Sequence, residues 1–126
     1  MNDWLGVERG EAPLIISAPH AGLGIPGALS EAYVSPELAR SDADFYIDRL
    51  YAFARDLDAT IVRTAICRAV IDVNRDPNGA SLYPGRATTE LCPTTSFEGP
   101  PLYRDGRAPD QDEIARRRAT YFEPYH

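Results

Sequence analysis

Lysine is missing from this chain of 126 residues, and all thirteen basic residues are arginine. That removes a lysine nucleophile or Schiff base from the available chemistry. Cysteine is nearly as scarce. Cys67 and Cys92 show neither CxxC nor zinc-ribbon spacing, which argues against a thiolate zinc site or a disulfide framework. Cys67 instead reads as a small buried hydrophobe. The formal net charge is −6 and no basic block stands out, so a nucleic-acid partner is not expected. No stretch approaches the roughly 18 to 20 apolar residues of a membrane span, and the first residues lack a basic leader pattern. A cytoplasmic protein with no membrane partner is the expectation.

What is present has ordinary globular proportions, 44% hydrophobic and 25% charged, enough for one domain around one core. Leu14, Ile15 and Ile16 form a short apolar run between prolines and read as a strand, with His20 opening the Gly/Pro-rich loop that follows. Ser35-Pro36-Glu37 carries an N-cap and a proline at the first helical position. Between Asp44 and Leu57, apolar residues recur at spacings of three and four, which predicts an amphipathic helix with its tyrosines in the core. Ala59 to Arg63 and Ala69 to Val73 read as two further strands. Residues 76 to 109 are rich in proline and glycine and predict an ordered, irregular excursion anchored by Tyr83, Leu91, Phe97, Leu102 and Tyr103. Asp110, three residues before Glu113, starts a helix to Tyr121 with arginines in its later turns. The pattern is α/β. Three strands make a small sheet, so residues 1–126 read as one α/β domain that is the front portion of a longer one.

Two places carry chemistry. His20 lies where a strand ends, and a rigidly held imidazole facing a cleft is a natural metal ligand. Arg68, Asn74 and Arg75 bracket the apolar run Arg68-Ala-Val-Ile-Asp-Val-Asn-Arg75. Guanidinium groups on a fixed element make two-pronged contacts with carboxylates. A metal beside an anion clamp points to hydrolysis of a small acidic substrate. The plainer alternatives are a loop histidine, and arginines paired with Asp72 or Asp76. Asp72 alternates with Ile71 and Val73, so it can turn inward, where it needs a partner.

Taken in order, Ser17-Ala-Pro-His20-Ala-Gly, Ser41-Asp-Ala-Asp44, Ile47-Asp-Arg-Leu-Tyr51, Arg68 to Arg75, Leu82-Tyr-Pro-Gly85, Leu91-Cys-Pro93 and Arg117-Arg118 to Tyr125-His126 resemble the N-formylglutamate amidohydrolase (deformylase) family. The resemblance implies a phosphorylase/hydrolase-like, zinc carboxypeptidase-like three-layer sandwich, of which this chain is the N-terminal part. It also implies zinc-dependent hydrolysis of N-formyl-L-glutamate to formate and glutamate, in histidine degradation. Arg68, Asn74 and Arg75 are then the substrate clamp, and His20 the first zinc ligand. Zinc carboxypeptidases take their second ligand three residues after that histidine. The position here is Leu23, so the acidic ligand is expected from Asp44 or, second, Asp42, with Asp48 behind them. Tyr83, Pro84 and Gly85 are candidates to cover the substrate, and Arg63 is a weaker clamp candidate. His126 is discounted because terminal residues are poorly fixed.

The resemblance places the general base and a further metal-binding segment in a second half with no counterpart here, so no catalytic residue is assigned. Two other readings follow. One is a truncated, non-catalytic homologue that binds a carboxylate ligand or a partner chain. The other is a related zinc amidohydrolase acting on another N-acyl amino acid or a peptidoglycan fragment. A phosphate-binding loop at His20 to Gly24 lacks both a P-loop lysine and a GxGxxG pattern.

Overall fold

The sheet is organised around its last strand. In the computed structural model, which describes residues 3–78 and 90–126, β3 (Thr60–Thr64) lies between β1 (Leu5–Glu8) and β2 (Ile15–Ala18). Its Thr-Ile-Val-Arg-Thr sequence is rich in the β-branched side chains that suit a pleated surface. β1 runs antiparallel to β3, with Leu5 opposite Thr64, and β2 runs parallel to it, with Ile15 opposite Thr60. The strands expected at 14–16 and 59–63 are therefore present. β1 was not anticipated, since Leu-Gly-Val-Glu is too short to show a period.

Short elements make the crossover from β2 to β3: α1 (Gly27–Ser30), α2 (Pro36–Arg40), α3 (Ile47–Leu50) and a 3₁₀ turn over Ala52–Arg55. Ser35 caps α2 as expected, its hydroxyl accepting the Leu38 N–H at 3.1 Å. The single helix predicted for 44–57 is not formed. Tyr46 takes a left-handed conformation (φ 62°) at the start of α3, and the chain breaks again at Tyr51. The periodic residues do not find a common partner: Tyr46 is 72% and Leu50 67% exposed, and Phe45, Tyr51, Phe53 and Leu57 are also exposed. Tertiary burial of one face normally supplies most of a helix's stability. Among the described residues of this stretch only Ala54 is fully buried, packed with Ala59 and Ile61.

The strand predicted at Ala69–Val73 is likewise absent. The segment forms a turn closed by Val70 N–H on the Cys67 carbonyl at 2.9 Å, and then an irregular stretch whose Asp72 N–H bonds the Leu91 carbonyl at 2.8 Å. All five residues are buried, because the turn is inserted among Tyr33, Cys92, Leu102, Tyr103, Tyr121 and Phe122, the main core. A buried turn and a buried strand leave the same apolar run in the sequence. Residues 90–109 are ordered without helix or strand, and Leu102 and Tyr103 anchor them; Phe97, expected to pack, is exposed.

The last helix begins as expected, with the Asp110 carboxylate accepting the Glu113 N–H at 2.8 Å. α4 (Gln111–Arg117) then gives way to a π turn over Arg118–Phe122 and a final turn, α5 (Glu123–Tyr125). Trp4 packs edge-on against Tyr121, with ring centroids 5.2 Å apart. Among the described residues no helix is long and apolar enough to cross a membrane.

Candidate active site

His20 follows β2 directly, and its position is set from two sides. Its backbone carbonyl accepts the Asp44 N–H at 2.9 Å, which brings the Ser41–Asp44 stretch alongside the strand end. The loop beyond it lies against the extension of β3. Gly22 pairs with Cys67 and Gly24 with Ile66, and a Cβ on Gly22 would sit 2.5 Å from the Ala65 backbone. Glycine is required there by close approach.

The imidazole meets the Arg68–Arg75 segment through one carboxylate. Asp72 is fully buried; its Oδ1 lies 2.7 Å from His20 Nε2 and accepts the Asn74 backbone N–H at 2.9 Å. Its Oδ2 accepts from Arg68 Nη2 at 2.9 Å, and Arg75 Nε stands 3.7 Å from the same oxygen. Burial would push this carboxyl up, but the His20 hydrogen bond and charge, the Asn74 N–H and Arg68 outweigh it and hold it below its usual range. A carboxylate this close to Nε2 is met by an N–H on that nitrogen, and the other ring nitrogen, Nδ1, is turned away from it. Nδ1 faces Asp44, whose Oδ2 is 3.7 Å away on a half-exposed side chain.

The three proposed clamp residues share the segment but not the same surroundings. Arg68 is buried, tied to Asp72 and covered by the Phe97 ring, whose centroid lies 4.9 Å from the guanidinium carbon. The Asn74 side chain is exposed, and the Arg75 side chain is partly so. Asp42 and Asp44 also differ. Asp42 Oδ2 accepts the Phe97 backbone N–H at 2.9 Å, whereas Asp44 is the acidic group beside the open imidazole nitrogen. Arg63 lines an open groove of about 840 Å³ with Trp4, Tyr46, Arg49 and, from the loop after His20, Ala21, Gly22 and Leu23. His126 is better fixed than a terminal residue is expected to be: Nε2 donates to the Val73 carbonyl at 2.8 Å and the ring packs on Phe122. Tyr83, Pro84 and Gly85 lie outside the described residues, as does the side chain of Asp48.

A family model for N-formylglutamate amidohydrolase matches residues 12–126. The chain belongs to this family. It is 43% identical over its full length to an N-formylglutamate deformylase of Pseudomonas putida, and 41% identical to one of Pseudomonas aeruginosa. It spans 47% of the length of each, about half of these curated relatives. Among solved structures, it superposes on an N-formylglutamate amidohydrolase from Ralstonia eutropha with a TM-score of 0.74 and 28% identity, covering 98% of this chain and 48% of that one. A gene product of Agrobacterium tumefaciens gives a TM-score of 0.54 at 25% identity, covering 46% of that chain. The mixed α/β fold with a small sheet is therefore that of N-formylglutamate amidohydrolases over their matching portion.

The residues fit in part the zinc site that the resemblance implies. A catalytic zinc takes three protein ligands and an open position. His20 Nδ1 and Asp44 are two donors of the right chemistry facing one another, and Asp72 holds the far ring nitrogen as a carboxylate commonly does behind a zinc-bound histidine. Among the described residues no group of three His, Cys, Asp or Glu side chains could hold the ion. Sequence reasoning had turned Asp72 inward without placing it at the site. The available signal was a carboxylate in an apolar run with arginines four residues before and three after.

Proposed function

We propose that the chain is the N-terminal half of a zinc-dependent N-formylglutamate deformylase domain, and that its residues supply the first part of the metal site and the substrate's carboxylate contacts. The observation carrying this reading is the His20–Asp72 pair, which leaves Nδ1 open toward Asp44. The curated relatives bear the deformylase name, and the reading brings their substrate to this chain. It further takes the small sheet as part of a carboxypeptidase-like three-layer sandwich in a cytoplasmic enzyme of histidine degradation.

His20 through Nδ1 and Asp44 would hold the zinc, with a third ligand from outside the described residues. When bound, zinc supplies Lewis acidity toward the formyl oxygen and makes water a stronger acid. Asn74 and Arg75 would take the glutamate carboxylates, orienting the amide for attack. Arg68 stands behind them, holding Asp72 and through it the imidazole. A carboxylate general base would take the proton from water and return it to the departing amine; none is assigned in this chain.

The test is elemental analysis for zinc on the purified chain, together with formate release from N-formyl-L-glutamate. Stoichiometric zinc lost on His20→Ala, with formate released by the parent chain, supports the full reading. A folded chain with neither zinc nor turnover leaves this chain a half-site, with the activity residing in a longer protein or a partner. The second reading, a half-site that binds a carboxylate ligand or a partner chain without catalysis, is favoured by the lack of a three-ligand group among the described residues. A related zinc amidohydrolase acting on another N-acyl amino acid would bind zinc but release no formate.

A further inference from the structure

The segment that carries Arg68, Asp72 and Arg75 is neither strand nor helix, so no ladder holds its backbone. Two of its consecutive carbonyls are nevertheless bonded, both from behind. Arg117 Nη1 donates to the Val70 carbonyl at 2.9 Å and to the Tyr103 hydroxyl at 2.7 Å. The Tyr103 hydroxyl donates to that of Tyr33 at 2.9 Å, and Tyr33 donates to the Ala69 carbonyl at 3.2 Å. The tyrosine rings are stacked with centroids 4.5 Å apart. Arg117 is 2% exposed and its charge is balanced by Glu113, whose carboxylate accepts from Nε at 2.9 Å. A fully buried guanidinium is weak evidence of stabilisation, since an apolar residue of similar volume often packs there at least as well. What an apolar residue could not do is donate to the Val70 carbonyl and to the tyrosine pair that reaches the Ala69 carbonyl.

We propose that Arg117, Tyr103 and Tyr33 are positioning residues for the candidate site: by holding the Ala69 and Val70 carbonyls they fix the turn from which Asp72, held by Arg68, reaches His20. The effect is indirect, because none of the three touches the imidazole. A shift of the turn moves Asp72 relative to Nε2, and a carboxylate behind a ligating histidine sets both its tautomer and its orientation. The functional side of this inference rests on the zinc reading above; the structural side does not.

The test is made first without metal. Ring-nitrogen NMR of His20 reports which nitrogen carries the proton, in the parent chain and in Arg117→Met and Tyr33→Phe. Tyr33→Phe removes only one hydroxyl, so it carries the test if Arg117→Met does not fold. Ile61→Val, in the separate core cluster of Ala54 and Ala59, controls for a general loss of stability. The expected result is a single Nε2–H tautomer in the parent and in Ile61→Val, with both tautomers populated in the two variants. Wild-type spectra in both variants overturn the proposal, as does an equal mixture in Ile61→Val. Zinc titration then follows, with affinity expected to fall about tenfold in Arg117→Met. A parent chain that binds no zinc defeats the zinc reading alone, and the tautomer comparison still decides the positioning role.

Discussion

Asp42 and Phe97 lie 55 positions apart in the chain, yet the Asp42 carboxylate accepts the Phe97 backbone N–H at 2.9 Å. This bond fixes the tip of the loop whose aromatic ring covers Arg68, and it gives Asp42 a task separate from that of Asp44. The two aspartates, adjacent alternatives in the sequence, should therefore fail differently. Asp44→Ala is expected to weaken zinc binding by about tenfold or more. Asp42→Ala should leave zinc affinity close to the parent value and open the loop to proteolysis near Phe97. Calorimetric zinc titration and limited digestion of the two variants check this.

Asp72→Asn should be severely destabilising. It removes the negative charge that faces buried Arg68 and the Nε2–H of His20. Breaking a buried ion pair by neutralising one partner costs about 3–5 kcal/mol. Urea unfolding at pH 7 measures it, and a loss below about 1 kcal/mol, the range of exposed pairs, would show that the carboxylate is not the hub described.

Acid should destabilise the chain in a defined window. Glu113 is lowered from 4.5 to about 2, chiefly by its hydrogen bond from Arg116, with burial opposing and Arg117 assisting. Asp72 is also held below the usual carboxylate range. Both are depressed carboxylates, so their contribution is present above the unfolded values and is lost as pH falls through the folded ones. Urea midpoints should fall steadily from pH 5 toward pH 2. Glu113→Gln should have a lower midpoint at pH 5 and a shallower slope below it.

Both cysteines are free and buried, and burial pushes the Cys67 thiol up and that of Cys92 to about 11. The nucleophilic thiolate is scarce and shielded. A disulfide reagent should label neither residue in the native chain at pH 8, and both at the rate of unfolding in denaturant. Prompt labelling of the native chain would contradict the burial of the 67–73 turn.

The parts of the fold that local chemistry controls were legible. Ser35 and Asp110 cap helices because a short polar side chain next to free N–H groups has an immediate use. β2 and β3 were visible as apolar runs between breakers. The parts decided by distant packing were not legible. The 44–57 pattern promised a helix, but no described element covers Phe45, Leu50 and Phe53. The 69–73 run promised a strand, but its neighbours are aromatic rings from positions 33, 103 and 121. At the site, His20 and the Arg68–Arg75 segment stood out by residue type, and Asp72 joins them. The separate tasks of Asp42 and Asp44 were not, because they depend on where Phe97 and the His20 ring arrive.

The order of strands in the sheet has a consequence for synthesis. Among the described residues β1 and β2 both pair only with β3, so during translation neither has that partner until residue 64 has left the ribosome. Long-range pairings of this kind form slowly and leave apolar edges open meanwhile. The nascent chain thus carries both strands unpaired until Thr64 has emerged and this sheet can close. His20 then waits a little longer, for Asp72, before its ring has a fixed direction.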